Sequence, residues 1–335
     1  MKEEYFYPKL SNLCKMAETF ENTCLIKRFS HAGEQGHMRI LPLFPGISLS
    51  HNNIHMHSIP FNEKVKVNYL LINYCIEGRC EVNLGNKGFV FMEKGYLSVD
   101  SNNAQDDFIS PEGYYKGIEV FFDLDQLSQQ SSGLLNSFDV DIFLLKNFLC
   151  KNGMGLLFVP PEPIQKILDK LSCTLTSETV VFHRLKLLEL LYELSRLDFS
   201  LIKKTKTWLT KGQTAIAKSV YKQICSDLSK KHVVAQLAQT YGISQTSLRN
   251  YFYQVYGESI PSVIREKRVK KAMELLEQSE LSVMKIAQET GYENQSKFAA
   301  VFKTVTGDSP LEYRRKNKYQ GGTYGYEKFS TSESR

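Results

Sequence analysis

Two apolar stripes separated by a glycine, between Leu281 and Arg315, constrain this chain more than any other feature of its sequence. In both stripes the apolar residues recur at α-helical spacing, and Gly291 interrupts the pattern between them. The apolar positions are Val283, Ile286, Ala287, Phe298, Val301 and Phe302. Two short helices joined by a glycine turn form a helix-turn-helix, and Ser282 is a suitable N-terminal cap for the first helix.

The same pattern occurs a second time, about fifty residues upstream. The matching pairs are Ala238 with Ala287, Gly242 with Gly291, Leu248 with Phe298, Phe252 with Phe302, and Gly257 with Gly307. This repeat predicts two equivalent units, at about 233–256 and 282–305, joined by a helix from Pro261 to about Gln278. The basic side chains of that helix, expected to face mostly outward, are Arg265, Lys267, Arg268, Lys270 and Lys271.

The segment from about Ala215 to Arg315 resembles the DNA-binding domain of the AraC/XylS family of bacterial transcription regulators. The motif residues that carry the resemblance are Gly291-Tyr292, Phe298, Phe302-Lys303, Gly307, Ser309-Pro310 and Tyr313-Arg314. The resemblance implies that each unit places one recognition helix in successive major-groove segments of double-stranded DNA. Many family members carry Arg where this chain has Ala300.

Carried over residue by residue, the resemblance also implies which side chains meet DNA. The base-facing positions are Thr246, Arg249, Asn250, Gln295, Ser296 and Ala299. The phosphate-facing positions are Ser244, Asn294, Lys297, Lys303, Arg314 and Arg315. Arg249 is the strongest base-reading candidate, because a guanidinium can bond guanine O6 and N7 together. The alternative for each residue is a solvated polar side chain on a helix surface.

Charge is distributed unevenly along the chain, whose total is +6. Residues 206–335 contain 21 basic and 12 acidic side chains, a net charge of +9, and residues 1–205 contain 21 basic and 24 acidic side chains, a net charge of −3. Positive charge is therefore concentrated on the repeated units, as the neutralisation of DNA phosphates requires.

The cysteines and the hydropathy of the chain indicate a cytoplasmic protein. None of the seven cysteines forms a CxxC pair, which favours reduced thiols over a disulfide framework or a zinc site. They are Cys14, Cys24, Cys75, Cys80, Cys150, Cys173 and Cys225. The segment from Met1 to Leu10 lacks the apolar run of a signal peptide, and no stretch approaches the roughly twenty apolar residues of a membrane span.

The N-terminal part, residues 1–200, is predicted to be an effector-sensing and dimerisation domain. A helix is expected around Leu10 to Phe20, and short glycine-bounded apolar runs predict a small antiparallel barrel or sandwich at about 35–123. The segment from Asn73 to Val82 resembles the cupin-like sensor of many AraC/XylS regulators, which implies a small-molecule effector. The predicted fold class is therefore α+β, with a cupin-like barrel and helices followed by an all-α tandem helix-turn-helix domain.

Three histidines, His51, His55 and His57, raise the possibility of a metal site, because alternate residues of a strand share a face. An enzymatic cupin also needs a Glu shortly after the second His and a further His from a later strand. Here Glu63 comes late, and the next histidine is His183. We therefore expect no metal and no cofactor, and polar residues at a strand rim or in an organic-ligand pocket are the alternative.

Leucine-rich helical patterns follow the strands and are expected over 124–200. In the resembling family such helices commonly form a dimer seam, which the stripe Leu187, Leu191 and Leu194 would supply here. Packing of this stripe inside one subunit is the open alternative. A basic, unpatterned linker is predicted at 201–213, the DNA-binding domain at 214–318, and a disordered tail at 319–335.

Together these features favour a sequence-specific DNA-binding transcription regulator, an activator controlled by a small molecule. The resemblance implies RNA polymerase as a partner, and a homodimer as the assembly. One alternative is a cupin-type metalloenzyme with a nucleic-acid-binding tail, which the incomplete histidine set argues against. Another is a protein-interaction adaptor, which the basic C-terminal segment disfavours.

Overall fold

A computed structural model describes most of the chain. The described residues are 15–21, 23–59, 68–83, 88–101, 107–129, 138, 140–150, 155–173, 179–198 and 208–318. The predicted tail 319–335 lies outside them. The chain divides into two compact units, the first extending to Ala215 and the second containing most residues from Ile216 onward. Among the described helices, none has both the length and the apolar character needed to cross a membrane.

The first unit is built on antiparallel strands. They are β1 (Lys15–Glu21), β2 (Cys24–His31), β3 (Glu34–Phe44), β4 (Ile47–His55), β5 (Ser58–Ile59), β6 (Tyr69–Asn83), β7 (Phe89–Glu93), β8 (Leu97–Asp100), β9 (Phe108–Ile109), β10 (Tyr115–Asp123) and β11 (Leu156–Phe158). The main sheet has the order β1-β2-β3-β4-β10-β6-β8-β11, with β7 paired to β6, and β5 and β9 form a separate pair.

The sheet is open in the part of the chain that the structure describes. Strands β1 and β11 occupy its two ends, and no pairing between them closes a barrel. The α+β class is thus confirmed, with an N-terminal antiparallel sheet and a C-terminal helical unit, whereas the cupin-like barrel is not.

The prediction of a helix around Leu10 to Phe20 is wrong for the residues that the structure describes, because residues 15–21 form strand β1. All seven residues of this strand pair with β2, from Lys15 opposite Ser30 to Glu21 opposite Cys24. Apolar spacing in so short a segment fits a helix and a strand equally well, and pairing with β2 decides between them.

Helices cover one face of the sheet. They are α1 (Leu124–Gln129), α2 (Ile142–Leu149), α3 (Glu162–Leu171) and α4 (Val180–Ser195). The predicted dimer stripe of α4, Leu187, Leu191 and Leu194, is 0 % exposed and belongs to the core between these helices and the sheet. A surface already filled by its own chain cannot join two chains, so the alternative of packing inside one subunit is correct.

The opposite face of the sheet carries a row of polar side chains, of which Ser50, Asn73 and Ser98 are buried and Glu119 is half-buried. Ser50 lies opposite Glu119, Glu119 opposite Asn73, and Asn73 opposite Ser98, so four strands contribute neighbouring polar side chains. Asn73 Oδ1 accepts a 2.6 Å hydrogen bond from Tyr115 OH. The side chain of Ser98 is 1 % exposed, and its Oγ has no partner among the described residues. Buried polar atoms are nearly always hydrogen-bonded, so this row is unusual for a structural core.

The three candidate metal histidines have separate surroundings. His51 Nε2 lies 2.9 Å from the Leu171 carbonyl oxygen, and burial lowers the pKa of His51 to about 4. The ring of His55 packs on Tyr114, whereas His57, beyond the end of β4, is bonded to Glu34. Within the described residues, no group of three or more His, Cys, Asp or Glu side chains could hold a metal ion.

The end of the predicted linker is structured. Residues 201–207 lie outside the described part, but Leu209 is 1 % exposed and its backbone pairs with Phe89 of β7. The next helix, α5 (Lys211–Ser226), begins inside the predicted linker.

Helices alone make up the second unit. They are α5, α6 (Val234–Thr240), α7 (Gln245–Tyr256), α8 (Ile260–Gln278), α9 (Val283–Glu289), α10 (Gln295–Thr306) and α11 (Pro310–Lys318). Helix α8 is the predicted connecting helix, and Val269, Ala272 and Leu276 face the core that it shares with α9 and α10. Helices α6 with α7, and α9 with α10, are the two predicted repeats.

Candidate nucleic-acid interface

The first repeat turns between α6 and α7 at a glycine. Gly242 has φ +62°, a conformation that a residue with a Cβ adopts only with strain. The amide of Ile243 closes the turn by donating to the Ala238 carbonyl at 3.1 Å. Ser244 then caps α7, because its Oγ accepts the amide of Ser247 at 3.0 Å. The cap of the recognition helix α7 therefore lies two residues after the turn glycine, and the helix starts at Gln245.

The second repeat uses a turn that is one residue longer. Gly291 has φ +79°, and the amide of Tyr292 donates to the Ala287 carbonyl at 2.8 Å. The cap of α10 is Asn294, three residues after the glycine. Its Oδ1 accepts the amides of Ser296 at 2.7 Å and Lys297 at 3.1 Å. Two amides are thus satisfied here, against one in the first repeat.

Five of the six base-facing candidates have an exposed position on the first two turns of a recognition helix. They are Thr246, Arg249, Asn250, Gln295 and Ser296. The sixth, Ala299, is half-buried. Leu248 and Phe252 are 0 % exposed, so the opposite side of α7 is buried. The structure thus brings the candidates of each repeat onto one solvent-facing surface.

Arg249 reaches along that surface. Its Nη2 donates to Gln245 Oε1, one turn earlier, at 3.3 Å. Both side chains are exposed, so this weak bond leaves the guanidinium able to exchange its partner for a base edge.

The phosphate-facing candidates divide into three groups. Lys297, Lys303 and Arg315 are exposed. Ser244 and Asn294 use their side-chain oxygens as helix caps, as described above, so a phosphate there would meet backbone amides at a helix N-terminus.

The remaining phosphate candidate, Arg314, has a structural contact. Its Nη2 donates to the Leu281 carbonyl and its side chain is half-buried. This hydrogen bond attaches α11 to the segment that precedes α9.

An aromatic cluster supports the second repeat. The ring of Phe298 lies 5.4 Å from that of Tyr292 and 5.6 Å from that of Phe302, and Tyr313 packs on Phe302 at 5.4 Å. Tyr313 OH also donates to Glu277 Oε1 at 2.6 Å. These contacts hold α10 and α11 against α8.

Arg268 is a residue whose role the sequence did not reveal. It was expected to face outward, but it is half-buried and its guanidinium donates to three backbone carbonyls, those of Leu228, Lys230 and Gly291. Burial lowers the pKa of Arg268, and the neighbouring Tyr292 opposes that shift. Periodicity along α8 carried only a weak signal, the position of Arg268 beside the buried Val269, because the three carbonyls are distant in sequence.

Comparison with known proteins agrees with this geometry. A family model described as "Helix-turn-helix domain" matches residues 237–316. The xylose operon regulatory protein of Escherichia coli is 36 % identical over 84 residues, which are 25 % of this chain and 21 % of that protein. The HTH-type transcriptional activator RhaR of an Enterobacter species is 23 % identical over 170 residues, 51 % of this chain and 57 % of that protein. The chain therefore spans about a fifth and just over half of these two relatives.

A solved structure, the C-terminal domain of AraT, a response regulator from Geobacillus stearothermophilus, is 28 % identical with a TM-score of 0.31. The likeness covers 34 % of this chain and 94 % of that domain. The family match places residues 237–316 in a helix-turn-helix domain, and the two relatives that this chain resembles are named as an operon regulatory protein and a transcriptional activator.

Proposed function

We propose that this protein is a sequence-specific DNA-binding transcription regulator of the AraC/XylS type. The observation that carries the proposal is the pair of recognition helices, α7 and α10, each with exposed polar side chains on one face and buried apolar anchors on the other. Lys and Arg side chains would bind phosphate and dominate the salt dependence, while the exposed helix faces would select the bases. A regulator of this type acts on chromosomal DNA, which in bacteria lies in the cytoplasm.

Selection of bound fragments from genomic DNA by the full-length protein tests this proposal. We expect a shared motif to be enriched, and its affinity to exceed that of random DNA by about a thousandfold or more at physiological salt. Equal binding of every fragment, or no binding at low salt, would refute it.

We include control by a small polar molecule in the proposal, with activation through RNA polymerase as its output. The polar row of Ser50, Glu119, Asn73 and Ser98 supports a sensor role for the first unit, since the buried Ser98 Oγ, which has no partner among the described residues, could bond a ligand. A cupin-like arrangement of residues 35–123 belongs to the same proposal. A compound that raises the melting temperature and also changes DNA affinity would support this role, and saturation of the protein without either effect would count against it.

We do not propose an enzyme. The relatives described above are named as regulators, and the three histidines of the metalloenzyme alternative have separate surroundings. Metal analysis of the purified protein would reopen that alternative if it found a stoichiometric transition metal.

We propose that the protein forms a homodimer through the outer face of α4. Apolar side chains recur there at steps of four, three and four residues, the spacing of a helix-pairing seam. They are Val181, Leu185, Leu188 and Tyr192, of which Val181, Leu185 and Tyr192 are 64 %, 59 % and 53 % exposed. This face lies opposite the buried stripe of Leu187, Leu191 and Leu194, which the sequence predicts as the dimer seam.

Leu185→Asp should convert the dimer to a monomer in sedimentation velocity without unfolding it, because the side chain contacts solvent in one chain. Leu144→Asp, at a leucine of α2 that is 67 % exposed, is the matched control and should leave the dimer intact. A dimer that persists in a folded Leu185→Asp variant would exclude this seam.

A further inference from the structure

The guanidinium of Arg268 joins three parts of the second unit. From helix α8, Nε donates to the Leu228 carbonyl at 2.9 Å, Nη1 to Gly291 at 2.8 Å and Nη2 to Lys230 at 2.8 Å. Leu228 and Lys230 belong to the loop that leads into the first repeat, whereas Gly291 is the turn of the second. One side chain therefore connects the loop before the first repeat to the turn of the second repeat.

We propose that Arg268 is a positioning residue that holds the two recognition helices at one separation and orientation, and so sets the spacing between the two DNA segments that the protein reads. The inference rests on the proposed function, because only a protein that reads two segments has a spacing to set. The role is distinct from that of α8 itself, whose length fixes only how far apart the repeats begin.

The chemistry of the site requires arginine. Three carbonyl oxygens approach from the loop and the turn, and each meets a different nitrogen of one rigid plane. A lysine ammonium carries the same charge but is a single point on a flexible stem, so it cannot reproduce the three separate directions. The face of the Tyr292 ring, 5.4 Å from the guanidinium carbon, adds a further support.

The loop that receives the guanidinium is itself held in place. The carboxylate of Asp227 accepts the Ser229 amide at 3.1 Å and forms an ion pair with Lys230 at 3.2 Å. His232 Nε2 lies 2.8 Å from the Asp227 carbonyl oxygen. These contacts fix the carbonyls of the loop before the first repeat begins, so Arg268 fastens two ordered segments.

The glycine at the turn shows how closely the two parts meet. A Cβ added to Gly291 would lie 2.4 Å from Arg268 Nη2 and 2.5 Å from the Leu228 oxygen. The equivalent Gly242 of the first repeat has nothing within 4 Å of such a Cβ. Close packing against the Arg268 guanidinium and the Leu228 carbonyl therefore occurs at the second turn and not at the first.

A change in spacing distinguishes a positioning role from a phosphate contact. Each base pair inserted between two sites moves one by about 3.4 Å and rotates it by roughly a tenth of a turn, so a rigid pair of recognition helices loses one of its contacts. A loosened pair follows the moved site. Loss of a phosphate contact, in contrast, weakens all DNA by the same factor and leaves the effect of spacing unchanged.

The experiment uses the full-length protein and the DNA sequence that the wild type selects, with one base pair inserted or deleted between its two segments. We expect the wild type to bind the altered sites about 10- to 100-fold more weakly, a loss typical of disrupted base contacts. The spacing ratio is the affinity for the unaltered site divided by the affinity for an altered site. In Arg268→Lys and Arg268→Ala this ratio should fall to about threefold, because the helices no longer keep a fixed separation. Binding to the unaltered site should also be weaker in both variants.

Arg265→Lys is the matched control, since Arg265 is an exposed arginine of the same helix that bonds only weakly to Ser262 Oγ at 3.4 Å. It should keep the wild-type ratio. Circular dichroism melting of every variant monitors the fold, and an Arg268→Lys protein that has lost its cooperative melting would assign the guanidinium to folding and overturn the positioning role.

A folded Arg268→Lys variant that keeps the wild-type spacing ratio would also overturn the inference and leave the proposed function standing. Failure of the wild type to select any sequence is a different result. It would remove the proposed function, and the positioning role would fall with it.

Discussion

The two repeats of the second unit share one pattern but differ in what they expose and in what braces them. The first repeat presents Arg249 and Asn250 to solvent at positions where the second has Ala299 and Ala300. The second is stabilised by the aromatic cluster around Phe298 and by the hydrogen bond from Arg268 to the Gly291 carbonyl. The first repeat thus has the long hydrogen-bonding side chains, and the second has more of the stabilising contacts. We therefore expect the first repeat to contribute more to base selection and the second more to stability.

The largest effect should come from comparing the turn glycines. Gly291→Ala and Gly242→Ala both force an alanine into a left-handed backbone, at a cost of about 1 to 2 kcal/mol each. At Gly291 the added methyl group would also overlap the Leu228 oxygen and the Arg268 guanidinium. We expect about 3 kcal/mol of lost stability for Gly291→Ala against about 1 kcal/mol for Gly242→Ala.

Urea denaturation of the two variants measures this difference. Both substitutions replace a glycine of positive φ by alanine, so the difference between the two losses of stability measures the effect of the close approach at Gly291. Equal losses would mean that the second turn can move away from the loop, which would weaken the contrast between the repeats.

The next effect concerns base reading. Arg249→Ala should cost about 2 kcal/mol on the selected DNA and little on random DNA, since it removes the bidentate base contact that we propose for this residue. Ser296→Ala, at the exposed start of α10, should cost less than about 1 kcal/mol. Fluorescence anisotropy with both DNAs measures the two losses. Equal losses of Arg249→Ala on selected and random DNA would make Arg249 a phosphate contact and remove the first repeat's advantage.

The smallest effect separates the two helix caps. Asn294→Ala should destabilise the protein by about 1.5 kcal/mol, and Ser244→Ala by about 1 kcal/mol, because Asn294 satisfies two amides and Ser244 one. Thermal melting of both variants is the measurement. A larger loss at Ser244 would show that the first recognition helix depends more on its cap, for lack of other support.

Local features of the second unit could be predicted from sequence. Apolar periodicity located both repeats and the connecting helix, and the turn glycines have the positive φ that their position implies. Each of these features depends on residues within one or two helical turns. The bonds of Arg268 could not be predicted, because Leu228 and Gly291 are 40 and 23 residues away from it.

The first unit was harder to predict for the same reason. The leucines of α4 were recognised as a stripe, but the sequence could not say whether a sheet or a second chain covers Leu187 and Leu191. Strand β1 depended on its pairing with β2, and the open order of the sheet depended on pairings between distant strands. Periodicity describes a face of an element and does not identify what that face meets.

The unequal turns have a consequence for exchanging recognition helices between the repeats. One residue along an α-helix rotates a side chain by about 100°, so a graft aligned on Gly242 and Gly291 would direct the base-facing side chains toward the core. A graft aligned on the caps, Ser244 and Asn294, keeps the buried anchors Leu248 and Phe298 four residues later in register. The caps, and not the glycines, therefore define the units from which chimeric readers of this protein can be built.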